Sequence, residues 1–191
     1  MTISFRRWAL PVLLALMVVV TGCDANALKS DTIFLKHEFS TDTAGKSIRF
    51  TFSSNNVTAN RLNDVSCNCT INIHSYIEEQ GFQPSDIVSA TLVSAEVIML
   101  FPISKKVNFL NQAILKFTAN GVSATEVANI SSFPSTREVS MNVLPNRDIA
   151  TFLERANFGA ILQLDPATLG PNENYDLSII LEVRLELEDS V

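Results

Sequence analysis

Histidine, cysteine and basic residues are all scarce in this chain of 191 residues, and each scarcity removes a class of chemistry. There are two histidines, His37 and His74. Neither is accompanied by a Gly-x-Ser-x-Gly elbow or a Ser-x-x-Lys constellation, so the usual machinery of an exported hydrolase is missing. No Gly-rich phosphate loop, His-Glu-x-x-His helix or EF-hand loop occurs either. The chain reads as a non-enzyme that calls for no cofactor. Lys and Arg number 14 against 20 Asp and Glu, a formal charge of −6. A protein that grips phosphates needs the opposite balance, which argues against nucleic acid as a partner. No apolar run reaches the roughly 20 residues needed to cross a bilayer. Nor does any segment carry helical periodicity long enough for an extended amphipathic helix.

What is present begins at the N-terminus. Arg6 and Arg7 precede an apolar run over 8–20, and the run ends in Val20-Thr21-Gly22-Cys23. A positive end, a short greasy middle and small residues before a cleavage point make the layout of a secretory signal peptide. The last four residues resemble the lipobox of bacterial lipoproteins, in which an aliphatic and two small residues precede a cysteine. The resemblance covers only the first 23 residues. It implies a diacylglyceryl thioether on Cys23, cleavage before that residue and N-acylation in many species. Two or more acyl chains, at about 0.8 kcal/mol per buried methylene, make a stable anchor.

The expected organisation is therefore a signal peptide over 1–22, a lipidated N-terminus and tether over 23–30, and a single domain over 31–191. Loss of Arg6 and Arg7 takes the formal charge from −6 to −8. The lipid, and not a basic patch, then has to hold the protein at its membrane. Asp24 resembles the signal that retains enterobacterial lipoproteins in the inner membrane; other phyla sort differently, so inner and outer membrane both stay open. Either places the domain in the bacterial cell envelope, facing the periplasm. Its partners would be the membrane, through Cys23, and another envelope protein. Three Asn-x-Ser/Thr sequons, at Asn56, Asn68 and Asn129, matter only on a eukaryotic secretory route, which the lipobox argues against.

In the body, short apolar runs alternate with turn-forming clusters. Strands are expected over 32–39, 47–53, 87–101, 111–118, 138–144, 158–164 and 175–188. The last is the clearest: Leu181, Val183, Leu185 and Leu187 alternate with Glu182, Arg184, Glu186 and Glu188, so one face meets a core and the other water. Such alternation suits antiparallel sheets. The expected fold is mainly β, an antiparallel β-sandwich of immunoglobulin-like or jelly-roll-like type. Residues 87–101 are too long and too apolar for a simple one-sided strand, and should either bend between sheets or pair on both faces.

Two segments match each other at a constant offset of 76, residues 72–82 and 148–158. Each reads as a short capped helix, near 73–79 and 149–155. Asn72 and Asp148 occupy N-cap positions. Ile73, Tyr76 and Ile77, like Ile149, Phe152 and Leu153, form one apolar stripe. Gly81 and Asn157 fall at the left-handed C′ position, where a Schellman motif would pair Phe82 with Ile77 and Phe158 with Leu153. The match is confined to these positions, which favours one local solution plugging each of two open ends of the sandwich over a duplicated binding surface.

Candidate chemistry gathers at Cys67, Cys69 and His74. An oxidising compartment favours a disulfide between cysteines one residue apart, in a small strained ring open to thiol exchange. Alternatively Cys67, Cys69 and His74 offer a Cys-x-Cys-x4-His set suited to Cu(I) or Zn(II). The plainest reading is a local disulfide, or two free thiols in a loop, beside a surface histidine. Ala150 stands where His74 does in the second helix, so the fold itself does not require histidine there. Glu182, Glu186 and Glu188 read as a solvated strand face, Glu78-Glu79 as surface, and Lys105-Lys106 as too small a patch for a partner. The acid- and amide-rich loop over 165–176 reads as a turn, although its oxygens suit Ca²⁺. The expected function is a non-catalytic binding or structural module. A metal or thiol-redox lipoprotein and a carrier of an apolar ligand are the alternatives.

Overall fold

The computed structural model describes residues 32–67 and 69–188. Cys23, the signal peptide over 1–22 and the tether over 23–30 lie outside the described residues. In chain order the elements are β1 (Ile33–Phe39), β2 (Arg49–Ser53), β3 (Asn63–Ser66), α1 (His74–Glu79), β4 (Ile87–Phe101), β5 (Leu110–Ala119), β6 (Val122–Ile130), β7 (Glu138–Ser140), β8 (Asn142–Val143), α2 (Ala150–Leu153), β9 (Gly159–Pro166) and β10 (Asn174–Leu187). They belong to one compact unit, Thr32–Val191.

The chain is an antiparallel β-sandwich. One sheet runs β1-β10-β4-β7, with β2 also on β10, and the other runs β3-β9-β5-β6-β8. β1 and β2 share one edge of β10, pairing with residues 181–187 and 174–178 respectively, while β4 takes the other edge. They are thus one interrupted strand. Its pairing with β10 is the outermost of a nested set, followed by β3 with β9, β4 with β7 and β5 with β6. First-with-last nesting rolled over two sheets is the jelly-roll arrangement, which decides between the two expected sandwich types.

β10 is the spine of the core. Tyr175, Leu177, Ile179, Leu181, Val183, Leu185 and Leu187 are all buried, as the period-two pattern requires. Full burial of each of its aliphatic side chains contributes roughly 1.5–3 kcal/mol. Opposite them stand Leu162 and Leu164 of β9 and Leu115 and Phe117 of β5, none of them exposed.

β4 stays in one sheet and pairs on both edges. Its surplus of apolar residues is absorbed by bulges: the register against β10 slips where Leu187 and Glu186 meet Ile87 and Ser89, and where Val183 and Glu182 meet Leu92 and Ser94. The extra residues, Val88 and Val93, point out and are exposed. Each bulge resets which residues face inward, so Ile87, Ala90, Leu92, Ala95, Val97 and Met99 are all buried despite their broken spacing.

Three expectations need correction. Residues 138–144 are not one strand: the chain changes sheets at the buried Met141, whose N–H bonds the Ala95 carbonyl, leaving β7 and β8 on either side. β3 and β6 were not anticipated. β3 has a single inward side chain, Val65, too little to make a pattern. In β6 a slip places Val127 between the partners of Leu115 and Lys116, so Val127 and its neighbour Ala128 are both fully buried and the alternation is erased.

Candidate functional site

Cys67, Cys69, both histidines and the two helices gather along one border of the sandwich, around the edge strand β3. The β3–β9 ladder ends at Ser66 opposite Ile161, and the Cys67 N–H still donates to the Ala160 carbonyl at 2.9 Å. Pairing resumes where Ile71 meets Phe158, with N–H to carbonyl bonds of 2.9 and 3.0 Å in the two directions. Between those points the chain is longer on the β3 side than on the β9 side, where only Gly159 intervenes, and a disulfide joins Cys67 to Cys69 across this bulge. Both cysteines are half-buried against the core.

The chain leaving the bulge enters α1. Asn72 accepts from the His74 N–H at 2.7 Å through Oδ1, although Ile73 supplies the first helical carbonyl, to the Ile77 N–H. The expected cap therefore acts one position earlier, as an Asx turn. At the far end the Phe82 N–H bonds the Ile77 carbonyl and the Gly81 N–H the Glu78 carbonyl, with Gly81 at φ +88°. This is the Schellman motif read from the sequence.

Only the first half of that reading holds for α2. Asp148 Oδ1 accepts from Ala150 N–H, and from Ala90 N–H of β4, both at 3.0 Å. The helix then stops at Leu153, two residues short of the expected 155, and Asn157 is absent from the left-handed positions. A side chain bearing Cβ pays about 1–2 kcal/mol there. The Arg155 N–H instead closes a tighter turn on the Phe152 carbonyl, and Phe158 goes on to pair with Ile71 while its ring meets Phe39 and Phe117.

The helices do not plug separate ends. Because β3 pairs with β9, the segment after one and the segment before the other are brought side by side. His74 Nε2 lies 3.2 Å from the Leu153 carbonyl. A carbonyl only accepts, so that nitrogen carries the proton and satisfies a terminal carbonyl of α2. Thus Cys67 and Cys69 are joined to each other, while His74 is turned to a backbone oxygen. Among the described residues no group of three or more His, Cys, Asp or Glu is placed to hold a metal ion.

The other histidine contributes to the same border. His37 of β1 lies 4.2 Å from the Tyr76 ring of α1 and meets the Phe39 edge at 4.7 Å. The Tyr76 hydroxyl in turn donates to the Lys36 carbonyl at 3.0 Å. Burial holds the His37 pKa below its ordinary 6.5, with Glu38 opposing weakly. The loop over 40–48, which interrupts β1 and β2, docks on the bulge through the Thr43 N–H and the Thr70 carbonyl at 2.7 Å. Asp42 shapes it by accepting from the Ala44 and Lys46 N–H groups at 3.0 and 2.8 Å. A cleft of about 500 Å³ lined by His37, Asp42, Asn72 and Ser75 lies on one side of this loop. Another of about 600 Å³, lined by Lys46, Arg49, Thr51 and Ser66, lies on the other. A third, about 280 Å³, opens beside Cys69, Thr70 and Asn157.

The remaining candidates are dispersed. In the loop over 165–176, Asp165 faces Asn111, Asn172 faces Asn55, and Asp176 pairs with Arg49 at 3.0 Å. Their oxygens do not converge. Glu182 pairs with Lys36 and Glu186 accepts from the Ser89 hydroxyl, on the outer face as expected. One cluster escaped the sequence altogether. The fully buried Tyr175 ring is stacked between Phe52 and Phe109 at 5.0 and 4.9 Å. Its hydroxyl donates to Glu173 at 2.6 Å, and Lys105 completes the set at 2.8 Å from the same carboxylate. Lys105 holds the Glu173 pKa below the ordinary 4.5, and burial first and Glu173 second push Tyr175 upward. The lysine is far from its partners in sequence, so no local pattern announces it.

No protein-family model matches this chain, and no curated protein matches it significantly.

Proposed function

We propose that this chain is a bacterial lipoprotein: a non-catalytic binding or structural module held to an inner or outer envelope membrane by acyl chains on Cys23, its jelly roll facing the periplasm. One observation carries the reading, the Val20-Thr21-Gly22-Cys23 lipobox behind Arg6, Arg7 and the apolar run. The compact unit begins at Thr32, just after the stretch over 23–30 that serves as lipidated N-terminus and tether in this reading. The clefts flanking the 40–48 loop are the surface on which such a module would meet an envelope partner. The test is metabolic labelling with palmitate. Label should enter the wild type and not Cys23→Ser, and the variant should leave the membrane fraction; label retained by Cys23→Ser would overturn the reading.

The placement of the Cys67–Cys69 disulfide at the edge of the sandwich, with Cys69 lining a cleft, supports a second reading, thiol exchange with an envelope dithiol protein. A partner thiolate would attack one sulfur and release the other as thiolate. The partner's second thiol would then displace the first, leaving this chain as a dithiol and the partner as a disulfide. In Cys67→Ser the lone Cys69 thiolate can attack the partner only in its disulfide form, releasing one partner thiolate, so incubation with the oxidised partner should accumulate a mixed disulfide; its absence after thiol-trapping would count against exchange.

A further inference from the structure

Exposed apolar side chains occupy both ends of the β10 sheet. At one end are Phe34 (61% exposed), Val88 (53%) and Ile33; at the other are Phe101 and Ile103 (75%). The first group spans three adjacent strands. Phe34 opposes Glu186, Glu186 opposes Ser89, and Val88 is the bulged residue next to Ser89. Ile33 opposes Leu187, which opposes Ile87 at the same end. The two ends are about 35 Å apart at the usual rise per strand residue.

These ends are not equivalent with respect to Cys23. Residues 24–31 extend at most about 3.5 Å each, so Ile33 can lie no more than roughly 35 Å from the anchor. The tip at Phe101 and Ile103 can be displaced by a further sheet length. Any affinity of the near end for lipid is therefore exerted at high effective concentration, and a few apolar side chains suffice.

We infer that Ile33, Phe34 and Val88 form a membrane-contact edge that seats the jelly roll on the bilayer interface with its long axis upright and the Phe101 tip outward. This rests on the lipid anchor at Cys23. The outer face here carries both signs rather than a basic patch: Lys36 and Arg184, like charges opposite each other across the ladder, stand with Glu182, which pairs with Lys36, and Glu186, which takes the Ser89 hydroxyl. With a net acidic chain, the surface suited to this edge is zwitterionic, and the occupant is the headgroup and upper acyl region of such a bilayer.

The experiment uses the lipidated mature chain, from which cleavage before Cys23 has removed Trp8, so that an introduced tryptophan is the sole one. It is reconstituted in phosphatidylcholine and phosphatidylethanolamine vesicles, and lipid on Cys23 is verified by mass. Phe34→Trp should emit at shorter wavelength and be quenched several-fold more than Ile103→Trp by lipids brominated on the acyl chain, and protected from aqueous acrylamide. Equal quenching of the two, or free access of acrylamide to Trp at 34, overturns the edge while leaving the anchor intact. Absence of lipid on Cys23 overturns both.

Discussion

Ile71 and Phe158 exchange backbone hydrogen bonds in both directions, at 2.9 and 3.0 Å. The first residue leads into α1 and the second leads out of α2, so this one bridge stitches the matched segments together. With His74 set on the Leu153 carbonyl at 3.2 Å, the start of one helix and the end of the other become a single structural unit. Helices of six and four residues would not persist alone. Their stability is borrowed from this junction and from Ile73, Ile77, Ile149, Phe152 and Leu153, all buried.

The two caps should differ in worth. Asn72 satisfies one backbone N–H, whereas Asp148 satisfies two, on α2 and on β4. Asn72→Ala should cost about 1 kcal/mol, in line with ordinary caps. Asp148→Ala should cost about 2–3 kcal/mol, because two donors, one of them in the sheet, lose their acceptor. Urea unfolding midpoints give both values; equal losses would refute the double role.

The ends of the helices separate in the same way. Gly81 sits at φ +88° with no atom within 4 Å of a Cβ placed there, so Gly81→Ala should cost about 1 kcal/mol through conformation alone. Asn157→Gly relieves no left-handed strain and should bring no stabilisation of that kind. A gain of similar size at 157 would show that both helices end alike.

Gly170 is required by a neighbour. A Cβ on it would lie 2.2 Å from Glu173 Cδ, so Gly170→Ala must push the carboxylate off Tyr175 and Lys105. The expected outcome is a lower urea unfolding midpoint. In a Glu173→Ala background the same substitution should cost much less, and this non-additivity is read from a double-mutant cycle.

His37 should make the fold sensitive to mild acid. Its folded pKa is held below 6.5 by burial, so in the window below 6.5 the unfolded chain binds the proton first. The stabilisation is complete above that pH and is lost as pH falls toward the folded value. His37→Phe, which keeps an aromatic ring against Tyr76 and Phe39, should flatten the stability profile over this window. A profile unchanged by the substitution would assign the acid response elsewhere.

How much of this was legible follows from where the constraints act. β10 could be read residue by residue because its inward positions never lose phase. In β4 and β6 the pattern was obscured by bulges, which depend on how a partner strand pairs and leave no mark on local sequence. The Schellman end of α1 was visible in Gly81, since only glycine takes that conformation without cost. Asn157 invited the same reading, but its segment had the alternative of pairing with Ile71. At the border site, the one-residue spacing of Cys67 and Cys69 made a local disulfide one of the readings, and the structure forms it. The meeting of His74 with Leu153, of His37 with Tyr76, and of Lys105 with Glu173 is made by topology across long stretches of chain.

The seven-residue pairing of β1 with β10, from Ile33 opposite Leu187 to Phe39 opposite Leu181, also settles how the molecule would bear load. Tension applied through residues 24–31 and resisted at the Phe101 tip would run along β1, perpendicular to its hydrogen bonds. The ladder would be sheared with all its bonds strained together, instead of being peeled open one at a time. A domain suspended this way withstands pulling from its outer end far better than it would if both forces met at the same end of the sheet.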